Sequence, residues 1–116
     1  MDKVKLADFQ KLDIRVGTVV EAEVPEWSHW VMKLVVNFGK EIGKKTIFAG
    51  IMKFFKPEEL VGKQYPFVIN LEPKKIGSQG DKSYGMIIMA VPKEDEETPP
   101  HLLKIGGKVP NGTRVM

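Results

Sequence analysis

Residues Asp13–Val24 read DIRVGTVVEAEV. The even positions hold Ile14, Val16, Thr18, Val20, Ala22 and Val24; the odd ones hold Asp13, Arg15, Gly17, Val19, Glu21 and Glu23. A period of two over a whole segment belongs to a strand with one buried face, because successive side chains point to opposite sides. A strand this long has to bend, and Gly17, with no side chain to resist a bulge, is the expected place. Pro25 ends it.

The same pattern recurs downstream. Trp30–Phe38 (WVMKLVVNF) puts Trp30, Met32, Leu34, Val36 and Phe38 on one face and Lys33 and Asn37 on the other. Gly39–Gly43 (GKEIG) reads as a hairpin loop, since glycine accepts positive φ at little cost. Lys44–Ala49 (KKTIFA) is the returning strand, closed by Gly50. Pro57-Glu58-Glu59 opens a short helix: proline needs no donor there, the acids complement the dipole, and Gly62 stops it. Gln64–Leu71 (QYPFVINL) is a fourth strand, with Pro66 favouring an early or edge position. Glu72–Lys82 (EPKKIGSQGDK) reads as a polar loop and Ser83–Val91 (SYGMIIMAV) as a fifth strand. Pro92–Met116, with its prolines and glycines, is expected as short extended pieces wrapped on the body. Five strands with one short helix between strands three and four match an all-β, five-stranded OB-fold Greek-key barrel, taken as a single domain over residues 1–116. Periodicity alone leaves an SH3-like barrel open as well.

Composition narrows function. A chain of 116 residues with 42% hydrophobic and 28% charged residues is an ordinary globular domain. It has no cysteine, so thiolate metal sites and cysteine nucleophiles are excluded. With only two histidines, His29 and His101, a histidine-rich cluster is not expected. No apolar run approaches the roughly 20 residues that span a bilayer, and the opening lacks a signal-peptide core. A cytoplasmic protein without membrane insertion is expected. Net charge is +3, but Val91–Glu97 (VPKEDEE) carries −3, leaving +6 over the remainder. The acidic run reads as a solvated loop.

Several motifs fall away. Gly39–Thr46 (GKEIGKKT) has three residues between its glycines and a second lysine where a phosphate loop needs a hydroxyl. Asn111-Gly112-Thr113 reads as a turn, and Ser28-His29 lacks the orienting acid of a triad. Glu58-Glu59 and Glu94–Glu97 suit a helix start and a loop. No catalytic residue, cofactor or metal site is expected. What remains is basic residues interleaved with aromatics: Lys53-Phe54-Phe55-Lys56, Lys74-Lys75, Lys82, and Arg15 and Lys33 on the solvent side of strands one and two. Single-stranded nucleic acid is bound through such faces, with cations on the backbone and bases on aromatics.

Three segments carry a family resemblance: Asp8–Val19 (DFQKLDIRVGTV), Ala49–Lys63 (AGIMKFFKPEELVGK) and Phe67–Met86 (FVINLEPKKIGSQGDKSYGM). Together they resemble the tRNA-binding domain found at the C-terminus of methionyl-tRNA synthetases and as free-standing dimers. That family's pattern runs Asp-x-Arg-Val-Gly, Pro-Glu-Glu-Leu, Asn-Leu-x-Pro-Lys-Lys and Ser-x-Gly-Met. Met32–Gly43 and Val109–Thr113 are also similar to the small CsaA-type secretion chaperone, which binds unfolded precursor proteins. The resemblance implies a homodimeric OB-fold, its dimer built partly from the terminal segments, that binds the outer corner of tRNA by shape, alone or with an aminoacyl-tRNA synthetase. It implies that Ser83, Gly85 and Met86 lie in the RNA-binding loop and fifth strand, Asn70, Lys74 and Lys75 on the approach, and Lys33 on the second strand. The family usually enters strand two with His-Pro-Asn-Ala-Asp-Lys-Leu. This chain has VPEWSHWV, with Trp30 at the lysine position and Trp27 beside it as further stacking or peptide-binding residues. If all four of Trp27, Trp30, Phe54 and Phe55 were exposed, peptide binding would be favoured.

Overall fold

A computed structural model describes residues 1–116. Its central sheet is built from β1 (Ile14–Glu23), β2 (Met32–Asn37), β3 (Lys44–Ala49), β4 (Gln64–Val68) and, further along the chain, β7 (Met86–Ile87). The strand order is β3-β2-β1-β4-β7, all antiparallel. The two edges meet: the Tyr84 amide donates to the Thr46 carbonyl at 2.9 Å and the Phe48 amide to Ser83 Oγ at 2.9 Å. The sheet is thus a nearly closed, OB-fold-like barrel, with one helical turn, α2 (Pro57–Leu60), between β3 and β4. No helix is long and apolar enough to cross a membrane.

β1 holds the barrel together because it is long enough to serve both neighbours. Ile14–Thr18 pair with β4 and Thr18–Glu23 with β2. Its bulge lies between Val19 and Glu21, not at Gly17. The extra residue moves the core-facing position from Val19, opposite Val36, to Ala22, opposite Leu34, whereas Ile14 and Val16 are buried outside the main core cluster. Gly17 serves close packing instead: a Cβ there would stand 2.5 Å from Val36 Cγ1 and 2.7 Å from the Phe38 ring. The alternation of β2 holds, with Met32, Leu34, Val36 and Phe38 buried. Phe38 meets Phe67 edge-on at 5.4 Å, a geometry aromatic quadrupoles favour. Trp30 falls outside the strand, and 53% of its surface is exposed.

Three stretches depart from the sequence reading. Glu72–Lys82 is not an open loop: Lys74–Ile76 (β5) and Asp81–Ser83 (β6) form a hairpin, turned by Gly77 and Gly80 at φ 70° and 82°. The fourth strand ends at Val68, before Leu71. The expected fifth strand is broken, because residues 83–87 cross from one barrel edge to the other. Ser83 and Tyr84 bond to β3, whereas Met86 and Ile87 pair with β4. Gly85 allows the crossing, since a Cβ there would lie 2.7 Å from the Val68 carbonyl oxygen.

The C-terminal part wraps the barrel as expected. Met89–Ala90 (β8) pairs with His101–Leu102 (β9). Residues 112–115 then run along β1, bonding Val16 and Ile14 at 2.8 Å. Asn111-Gly112-Thr113 forms the turn there, its Asn111 Oδ1 accepting from Thr18 Oγ1 at 2.6 Å. The acidic run is organised around Asp95, which accepts the Thr98 and Glu97 amides. One element has no clear periodic signal: the single turn Leu6–Phe9 (α1), none of whose residues is buried.

Candidate nucleic-acid interface

The β5–β6 hairpin gathers the lysines that the sequence singled out. Lys74 stands opposite Ser83, Lys75 opposite Lys82, and Ile76 opposite Asp81. Directly opposed residues share a face, so Lys74, Ile76, Asp81 and Ser83 turn one way and Lys75 and Lys82 the other. Like charges in opposed positions destabilise a strand pair. None of Lys74, Lys75 and Lys82 has an ion-pair partner in the protein. All three are exposed.

Trp27 supports this hairpin from below. A Cβ on Gly77 would stand 2.8 Å from Trp27 Cζ3, and the indole packs at 6.1 Å against Phe48. The tight contact explains glycine at 77 as much as its positive φ does. Beside the hairpin lie two hollows of about 500 and 330 Å³, and Lys33 lines both. Lys33 Nζ sits 3.8 Å from Glu23 Oε1, a loose and partly exposed pair of small energetic weight. Glu26 lines the larger hollow, Asp81 lines both, and Lys82 and Tyr84 line the smaller. The hairpin's outer face is therefore cationic, and its base is mixed.

The remaining sequence-predicted residues divide by role. Met86 is 51% exposed and offers a soft apolar surface. Gly85 sits at the strand crossing. Ser83 is buried at 6% exposure; it accepts the Phe48 amide and donates to the Gly85 carbonyl at 3.0 Å. Its only proton is committed inside the protein. Asn70 ties the chain before β1, accepting the Asp13 amide and donating to the Lys11 carbonyl. Arg15 stands apart. It lies eight residues from Glu23, about 25 Å along β1, and Glu23 is in register with Lys33. Its guanidinium holds Asp13 at 2.6 Å and the Gly112 carbonyl at 3.0 Å.

Among the aromatics, Phe54 and Phe55 are half-buried, and Phe55 packs against the core. Of the four-residue patch considered for peptide binding, only Trp30 is exposed. Tyr84, 43% exposed beside Lys33 and Lys82, is the aromatic that sequence reading passed over. Its signal was present in Ser-Tyr-Gly-Met, but an unbroken strand hid it. Ser28 is buried, and its Oγ accepts the Trp30 and Val31 amides, so it shapes a turn. No three acidic or histidine groups come together in a metal-holding arrangement.

Residues 14–114 match the family described as "Putative tRNA binding domain". The methionine–tRNA ligase of Clostridium perfringens is 38% identical over 114 residues, which are 98% of this chain and 17% of that enzyme. The chain thus spans about a sixth of the length of that curated relative. Among solved structures, a MetRS-related protein from Pyrococcus horikoshii superposes with a TM-score of 0.86 at 38% identity, covering all of both chains. The chaperone CsaA of Bacillus anthracis gives 0.84 at 34% identity, covering 99% of this chain and 100% of that one.

Proposed function

The chain belongs to the tRNA-binding domain family, and from that premise we propose that residues 1–116 act as one non-catalytic module that binds tRNA by shape, as a homodimer in the cytoplasm. The observation that carries this reading is the unpartnered Lys75–Lys82 pair held face to face on the hairpin. A fold that keeps two like charges opposed accepts a local penalty that a bound polyanion removes. Lys33, Lys74, Lys75 and Lys82 contact phosphates; Met86 and Tyr84 receive an unstacked base. Ser83, Gly85 and Asn70 hold the strand crossing and the approach in shape.

Shape selectivity follows from the donor set. Arginine reads guanine edges through two parallel bonds, a geometry lysine does not offer. The chain has two arginines, and both are tied to backbone carbonyls: Arg15 to Gly112 and Arg114 to Gln10. The cations left for RNA are lysines, which act as point charges along a backbone. The dimer reading is supported by Leu6, Phe9 and Leu12, exposed by 70%, 44% and 39%, which line one hollow of about 420 Å³ with Val115 and Met116. A second copy would cover this terminal patch. An aminoacyl-tRNA synthetase is the partner that the likeness to methionine–tRNA ligases favours.

Bulk tRNA titrated into the parent chain and a Lys75→Ala/Lys82→Ala variant tests the reading. At least a tenfold loss of affinity is expected; equal affinity contradicts it. A second reading, a chaperone that holds unfolded precursor proteins for export, draws on the CsaA likeness and on exposed Trp30. It is favoured instead if the parent chain keeps a denatured client soluble and Trp30→Ala does not.

A further inference from the structure

Away from the hairpin, Tyr65 is 97% sealed from solvent, with a relative exposure of 3%. Its ring belongs to the barrel core, yet its hydroxyl takes part in none of the protein's side-chain hydrogen bonds. No fully enclosed side-chain polar atom is left unpaired anywhere in the chain, so this hydroxyl must be the part of Tyr65 that reaches open space. Two hollows meet there. One, of about 680 Å³, lies between Gly62–Tyr65 and the returning segment Lys104–Asn111. The other, of about 250 Å³, lies between α2 and Pro100–Lys104. Tyr65, Lys63 and Lys104 line both, Lys108 lines the larger, and Glu59 and His101 line the smaller. None of these residues lines the hollows beside the hairpin.

The free groups of this site are mostly donors. Gln64 and Asn111, its amide side chains, are bonded within the protein to Val109, Thr18 and each other. Lys63, Lys104 and Lys108 take part in no ion pair. Gly62 and Gly107 form parts of the wall without side chains, which widens it. Burial first, and the Glu59 carboxylate second, raise the Tyr65 phenol above its usual range, and at neutral pH it is a donor, as an ordinary phenol also is. Ammonium groups around one sheltered hydroxyl complement an oxyanion with several acceptor oxygens, and lysine binds phosphate as a point charge that needs no planar geometry. The larger hollow lies in the size range of small-molecule sites.

We infer that the hollow between the start of β4 and the Lys104–Asn111 segment is a second site, which binds a phosphate-bearing ligand through Tyr65 Oη, Lys63 and Lys104. The phosphate comes either from a free phosphate ester or from the backbone of bound RNA.

The test uses inorganic pyrophosphate as the probe, with NMR of the Tyr65 ring and calorimetry on the full chain. Saturable binding that moves the Tyr65 resonances is expected, weakened at least tenfold by Tyr65→Phe and by Lys63→Gln/Lys104→Gln. Because the hydroxyl has no partner, the unliganded Tyr65→Phe chain should melt no lower than the parent, which separates lost binding from lost fold. The same variant titrated with tRNA identifies the source. A tenfold loss of tRNA affinity assigns the phosphate to RNA; unchanged tRNA affinity beside weakened pyrophosphate binding assigns it to a free ester. The inference is overturned if Tyr65→Phe alters neither affinity, or if pyrophosphate shifts only the Lys74–Ser83 hairpin.

Discussion

Lys75 and Lys82 set the terms at the scale of single residues. Replacing Lys75 with glutamate turns an opposed like-charge pair into an attractive one, a change typically worth about 0.2–1 kcal/mol. Lys75→Glu is therefore expected to stabilise the chain slightly in urea denaturation while weakening tRNA binding severalfold or more. Loss of stability with tRNA affinity intact would show that the pair has a structural role. The sequence made Lys74, Lys75 and Met86 legible, because exposed lysines and a methionine beside a glycine keep their character in almost any local fold. Ser83 was less legible. Its sequence context marks it as a small donor, but its burial depends on residues 83–84 meeting β3, thirty-five positions back along the chain. Arg15 was misplaced for a related reason: the bulge between Val19 and Glu21 reverses the alternation, so Arg15, opposed to buried Phe67, does not share a face with Lys33, opposed to Glu23.

Elements were legible in proportion to how strongly one face is buried. β3 occupies the expected Lys44–Ala49, β2 differs from expectation only at its ends, and β1 differs at its ends and in the place of its bulge. Each buries an apolar set, strictly alternating in β2 alone, that a register slip would expose. The β5–β6 hairpin has no such pattern. Apart from Ile76 its strands are polar on both faces, and its pairing rests on the glycine turn and on Trp27, which is distant in sequence. The fifth strand failed as one element because apolar residues on both sides of Gly85 conceal a change of partner. Trp27→Ala tests the pedestal role. Hydrogen exchange should quicken at Lys74–Ser83 while the amides of β1–β4 keep their protection, and tRNA affinity should fall with it. Uniform loss of protection would make Trp27 a general core residue; no change would remove it from the account.

For the whole molecule, a barrel closed by Ser83 and Tyr84 places a lysine hairpin beside it and an apolar patch at the paired termini. If the patch joins two copies, Leu6→Asp/Phe9→Asp should halve the mass seen by analytical ultracentrifugation and leave the far-ultraviolet circular dichroism unchanged. A parent chain that sediments as a monomer would contradict the dimer. The barrel was readable from strand order and the single helix, whereas a role for the termini came only from the family resemblance, because α1 is one turn long and too short to show a period.

Salt dependence addresses the central claim most directly. Each lysine–phosphate contact lowers the logarithm of affinity by about 0.7–0.9 per decade of salt. The account predicts a steep linear fall in bulk tRNA affinity for the parent chain, made shallower by about 1.4–1.8 in Lys75→Ala/Lys82→Ala. A flat response in the parent, or the same slope in both, would contradict it.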